Sequence, residues 1–342
     1  MTTAGPDFDV PGAGAGRRQQ FLAAGMIIAA MVSFALQDLV VKVTASDVSI
    51  WQMQAVRSVA VLILLTSVLV AIGRMREMTP RRLFWPLARA GLMTGAYLFF
   101  YASLPYLTLA NAASVFFIGP LLITVLAAIL LGEPIGPRRV IAVILGFAGV
   151  LLIIRPGSEG WTPVAVMPAI AAACYALAIV LTRWRCRDDP GFALTAVHNM
   201  LYAGIGLAGI ALMPLMPLPE AFRTENAFLT AGWLPLSTTV LALLVLTAFT
   251  HITGLLLSIR AYKEVEASQL APFEYSYLVI MGALDYLIWR TVPDQMAFAG
   301  MALICGAGMF IAWREGRPAR PRMQQQTEVP WTRDGEDGTP GA

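Results

Sequence analysis

The chain has 342 residues, 58% hydrophobic and only 13% charged, too apolar for a single water-soluble core. Its net charge of +3 is small, and the arginines lie between apolar blocks rather than on one face, so nothing points to nucleic acid. Cys174, Cys186 and Cys305 are an odd number without disulfide or metal-ligand spacing, and no phosphate-binding Gly-x-x-x-x-Gly-Lys-Ser/Thr loop occurs, so neither a metal nor a cofactor is expected.

Residues 1–18, rich in Gly, Pro and Ala, read as a disordered tail. The apolar block that follows is too long for the core of a cleavable signal peptide. Ten blocks can be marked, at about 20–43, 49–72, 83–104, 107–131, 138–155, 163–184, 192–213, 234–260, 266–289 and 295–313. About 20 apolar residues suffice to cross a bilayer core. The fourth block, Leu107–Leu131, has 25 residues and no charge. A polar hinge at 132–139 joins it to Val140–Ile154, whose Gly146, Ala148 and Gly149 suit close helix packing in lipid. Residues 314–342 read as a second disordered tail.

With the N-terminus placed in the cytoplasm, 18 Lys and Arg fall on the cytoplasmic side and 4 on the other, which predicts that both termini are cytoplasmic. The segments Ala102–Pro156 and Ser258–Trp313 share a pattern of small residues, a Tyr, an Ala/Ser cluster, a long apolar span, a hinge and a Gly-rich span. Five spans per half is an odd number, so the second half must be inverted relative to the first. The expected fold is an all-α integral membrane protein of ten transmembrane helices, arranged as two inverted five-helix repeats over 19–156 and 157–313. Such repeats characterise secondary transporters, whose sites lie at the midplane between the halves.

Polar side chains inside spans are costly there and mark the candidate site. In the first block Asp38 and Lys42 stand i,i+4 and are placed to pair on one face. Arg57 lies about eight residues into the second block, as a substrate ligand or a brace. Arg89 is close enough to the end of the third block to snorkel to the interface. Tyr97 and Tyr101 share a helix face, and Asn111 begins the fourth span. His198, Asn199 and Tyr202 form one stripe and His251 lies in another; either histidine can carry a coupling proton or make an interhelical bond. In the ninth block Pro272 interrupts the helical ladder just before Glu274 and Tyr275, so Glu274 is the foremost candidate to bind substrate or the coupling proton. Asp285, 11 residues later, is expected to be hydrated near the outer end.

These residues also carry a resemblance. Ala112-Ala113-Ser114 with Pro120, Leu131-Gly132-Glu133-Pro134, Gly146-Phe147-Ala148-Gly149-Val150 and Arg155-Pro156-Gly157 are similar to the first EamA repeat of the drug/metabolite transporter superfamily. Ala271-Pro272-Phe273-Glu274-Tyr275-Ser276, Val292-Pro293-Asp294 and Gly300 resemble the second. Where that repeat has an acidic hinge this chain has Trp289-Arg290-Thr291, which favours a structural role for Glu133. The resemblance implies ten helices, an inner-membrane location, and transport of small metabolites that are amino-acid-like, nucleoside-like or vitamin-like. Expected partners are a small-molecule substrate and the lipid bilayer, with a homodimer among the allowed assemblies. A membrane-embedded lipid-modifying enzyme and a non-transporting membrane subunit are the alternatives.

Overall fold

The computed structural model describes residues 13–132, 136–158, 161–265, 270 and 273–315. Every regular element among them is helical. The first half holds α1 (Ala13–Thr44), α2 (Ile50–Ala71), α3 (Phe84–Ser103), α4 (Leu109–Phe116), α5 (Gly119–Leu131) and α6 (Pro137–Ile154). The second holds α7 (Met167–Arg185), α8 (Gly191–Leu212), α9 (Glu220–Glu225), α10 (Ala227–Thr230), α11 (Thr238–Glu264), α12 (Ser276–Trp289) and α13 (Gln295–Glu315).

Local chemistry sets several boundaries. Ser49, Thr108 and Ser237 cap α2, α4 and α11, each accepting the N–H three residues on at 3.2 Å. Gly132 ends α5 with φ 70°, a left-handed conformation that glycine takes without steric cost. Arg290 ends α12 in the same region with φ 55°, where an L side chain is strained.

Among the described residues, each of the ten apolar blocks falls largely on helix, with two refinements. The fourth block is split into α4 and α5 at Phe117 and Ile118. Pro120 supplies no N–H to continue the ladder across that point. In the ninth block a helical turn ends at Glu274, Tyr275 forms a turn, and α12 begins at Ser276. Pro272, on which that break was predicted, lies outside the described residues, as does Glu133. Among the described residues, six stretches are long and apolar enough to cross a membrane: Arg18–Thr44, Ile50–Ala71, Leu109–Leu131, Pro163–Arg185, Gly191–Leu215 and Thr238–Ala261. Val140–Ile154, Ser276–Trp289 and Gln295–Phe310 are shorter apolar helices. Ile63, Ile129, Leu151, Val279 and Leu287 lie exposed, an outward apolar surface that suits lipid rather than water.

The packing joins the halves throughout. The most extensive pairings are α1 on α11, α3 on α7, α2 on α8 and α6 on α13. Next come α3 on α8, α2 on α11, α5 on α7, α4 on α12 and α1 on α12. In chain order, α1, α2, α3, α4–α5 and α6 correspond to α7, α8, α11, α12 and α13. Exchanging the halves by that correspondence turns each pairing into another of the set or into itself. Glycine makes the closest crossings possible. A Cβ on Gly149 would lie 2.7 Å from the Gly300 carbonyl oxygen, and one on Gly206 would lie 2.7 Å from that of Trp51.

The interval between α8 and α11, read from sequence as a gap, holds α9 and α10 and lies against the start of α2. Trp51 donates to the Leu229 carbonyl at 2.8 Å, Ser49 to Gly232 at 2.6 Å, and Gln52 exchanges two bonds with the backbone of Leu234.

Candidate functional site

A cavity of about 430 Å³ lies between the halves. α1 contributes Gln37 and Asp38, α3 contributes Arg89, Tyr97, Phe100 and Tyr101, and the α4–α5 break contributes Phe116, Phe117, Gly119 and Pro120. From the second half come Tyr175 of α7, Thr195 and His198 of α8, and His251 and Ser258 of α11. Glu274 and Tyr277 enter from either side of the break before α12. Both discontinuous spans therefore meet the same space, and the carboxylates Asp38 and Glu274 open onto it.

Aromatic rings form a large part of the wall. Phe100 stands 5.2 Å from Phe116, and Phe116 5.5 Å from Tyr175, between ring centroids. Phe117 stacks on Tyr277 at 5.5 Å and 18°. Tyr97 meets Tyr101, His198 and Tyr202 at 5.5, 5.5 and 5.8 Å. Interlocked rings of this kind hold a rigid cavity shape, and their faces suit flat or cationic groups.

A buried polar network centred on Gln37 runs from that wall to Arg57 behind it. Its amide donates to the Tyr101 hydroxyl at 2.6 Å and to Asp38 at 3.2 Å. Arg57 donates to the same hydroxyl at 2.9 Å and to the Gln37 carbonyl at 3.2 Å. Tyr277 donates to the other oxygen of Asp38. His251 Nδ1 lies 3.2 Å from both Arg57 Nη2 and Gln37 Oε1. Arginine only donates, so Nδ1 must accept to bond Arg57 and must carry a proton to bond Gln37. Protonating His251 would thus exchange one partner for the other.

The structure gathers Asp38, Tyr97, Tyr101, His198, His251 and Glu274 at the cavity. Arg57 stands behind the wall, its guanidinium 5.1 Å from the Tyr97 ring centre. Asn199 is buried and donates to the Thr195 carbonyl at 2.9 Å, and Tyr275 packs on Phe117 at 5.3 Å, so both support lining residues. Asn111 lies apart, beside Arg155 and Asp294 in a second pocket. Arg155 pairs with Asp294, which also caps α13 through the Ala297 N–H at 2.8 Å. That amide first, then Arg155, holds the Asp294 carboxyl below its ordinary range.

Three expectations are corrected. Asp38 and Lys42 do not pair: Asp38 accepts from Tyr277 and Gln37, while Lys42 donates to the Leu107 carbonyl and lies 4.0 Å from Asp285. Asp285 is not a hydrated end group but 1% exposed, accepting the N–H of Leu109 at 3.1 Å and of Ala110 at 2.7 Å. A carboxylate there satisfies the orphan donors of α4 and complements its dipole. Arg89 does not snorkel away; it lines the cavity and bonds Thr182 at 2.7 Å. Gln37, missed from sequence, left only the signal of an amide next to Asp38 inside an apolar block.

Apolar helices around a polar-edged internal cavity define a multi-pass membrane protein. The EamA-like transporter family model matches residues 21–155 and again 163–313, and the chain belongs to that family. It therefore stands among transporters rather than enzymes. A riboflavin transporter of Brucella anthropi is 25% identical over 234 residues, covering 68% of this chain and 76% of its own length. An S-adenosylmethionine uptake transporter of Rickettsia felis is 26% identical over 240 residues, covering 69% and 75%. A protein solved by crystallography shares the fold with TM-score 0.53 at 19% identity, covering 89% of this chain and 99% of that one.

Proposed function

We propose that the chain is a secondary active transporter that moves a small polar metabolite across the inner membrane by alternating access. The substrate class is amino-acid-like, nucleoside-like or vitamin-like, and the driving force is an ion gradient or exchange. The observation that carries this reading is the cavity: it lies between the halves, meets both discontinuous spans, and presents Asp38 and Glu274 amid aromatic walls. Relatives named for riboflavin and for S-adenosylmethionine, both solutes with flat heteroaromatic groups, agree with such a wall.

In this reading all ten apolar blocks span the membrane as two inverted five-helix repeats, with both termini cytoplasmic. The exchange symmetry of the packing supports the repeats, and the Lys and Arg split supports the orientation. Glu274 binds a cationic part of the substrate or the coupling proton, with Asp38, His198 and His251 across the cavity. On the outer side, Asp285 and Lys42 hold α4 against α12, and opening outward loosens that contact.

Counterflow in proteoliposomes tests the function. Vesicles loaded with unlabelled riboflavin, S-adenosylmethionine or an amino-acid mixture should accumulate the matching labelled solute in at least one case. Absence of exchange across all three classes by folded, inserted protein would overturn the proposal.

A further inference from the structure

Arg89 is the cavity residue that the sequence reading set aside. It lies on α3 within the wall that includes Tyr97 and Tyr175. Its Nε donates to Thr182 Oγ1 at 2.7 Å, and Thr182 in turn donates to the Ala178 carbonyl at 2.7 Å. One edge of the guanidinium is thereby fixed to α7. Among the described residues Arg89 forms no ion pair, and its Nη groups make no hydrogen bond. An arginine in a membrane-spanning helix is costly unless an anion meets it. Held by one edge, the guanidinium presents its Nη pair in the fork geometry that matches a carboxylate or phosphate.

We infer that Arg89 is the anion-binding residue of the cavity, and that the transported solute carries a carboxylate or phosphate beside a flat ring. This rests on the cavity being the transport site. Tyr97 of α3 and Tyr175 of α7 line the same cavity as Arg89, so the anionic group sits at Arg89 and the ring against the tyrosines. Thr182 is a positioning residue: it orients the fork and does not touch the solute.

The test measures dissociation constants for the full chain in phosphatidylcholine nanodiscs with two matched pairs. Flavin mononucleotide against riboflavin differs by a phosphate; indole-3-acetate against indole-3-acetamide differs by a carboxylate charge. In at least one pair the anion should bind about tenfold tighter, the magnitude of one charge-assisted bond. Arg89→Gln should bring that ratio to within about twofold while the neutral partner's affinity holds, and Arg89→Lys should keep part of it. Thr182→Ala, which leaves the charge in place, should give an intermediate ratio. Equal binding within both pairs, or an unchanged ratio in Arg89→Gln, overturns the assignment. So does an effect of Arg89→Gln that shows only as lost stabilisation by added phosphatidylglycerol, which would assign the guanidinium to lipid headgroups. Failure of every anion to bind sinks the Arg89 assignment alone, because counterflow of a neutral or cationic solute would still sustain the transport reading.

Discussion

Glu274 shows at the scale of one residue what position adds to chemistry. A carboxylate within an apolar span is expensive unless it is neutral, paired or wetted, and this one stands at a helix break facing the cavity. Glu274→Gln should leave insertion and folding intact and abolish transport or flatten its pH dependence. Flux at several pH values in proteoliposomes decides this, and a wild-type profile in the variant would remove Glu274 from the mechanism. Asp285 has the opposite character. It is buried, satisfies two amides of α4 and faces Lys42, so removing it leaves two amides without a partner and Lys42 without its counter-charge. Asp285→Ala should cost about 3 kcal/mol, the scale for breaking a buried charge pair, seen as a lower thermal midpoint. Both residues were visible in the sequence as acids in one span. What separates them is which neighbour each meets across the bundle, and spacing within one helix carries no information about that. The same limit explains the false Asp38–Lys42 pair: i,i+4 spacing permits an ion pair, but Tyr277 takes Asp38 while the Leu107 carbonyl and Asp285 take Lys42.

Helices were the most legible level. Long uncharged runs fix where helices lie, and the Pro and Gly signals fix most of their ends. The break between α4 and α5 went unread although Gly119-Pro120 marked it, because a 25-residue apolar run is satisfied equally by one helix or two. Glycines record close approach more quantitatively. A Cβ on Gly149 would overlap the Gly300 carbonyl oxygen at 2.7 Å and Ile304 Cγ1 at 2.8 Å, with backbone on the other side that cannot move independently. Gly149→Ala should therefore force α6 and α13 apart at a cost of about 1–3 kcal/mol. Gly91→Ala is the control: nothing lies within 4 Å of its added Cβ, so the better helix propensity should leave stability unchanged or raise it. Equal thermal midpoints for the two variants would contradict the crossing described for α6 and α13.

For the whole molecule, composition alone excluded a soluble domain, and the charge split between loops supplies an orientation. A reporter fused after Ala342 should be active in the cytoplasm and silent when the assay requires export; the reverse would invert the topology. The cavity itself was not legible as a shape. Its polar members could be named singly, but the rings that wall it, and the Gln37 network joined to them, arise only when helices from both halves meet. The central claim is that this cavity opens alternately to the two sides of the membrane. Gly119 lines it at the α4–α5 break, where an added Cβ would make only an ordinary 3.6 Å contact with Tyr175. With Cys174, Cys186 and Cys305 replaced by Ala, Gly119→Cys can be challenged with a membrane-impermeant thiol reagent in right-side-out and in inside-out vesicles. Alternating access predicts modification from both faces. Modification in only one of the two preparations, at every pH tested, would contradict it.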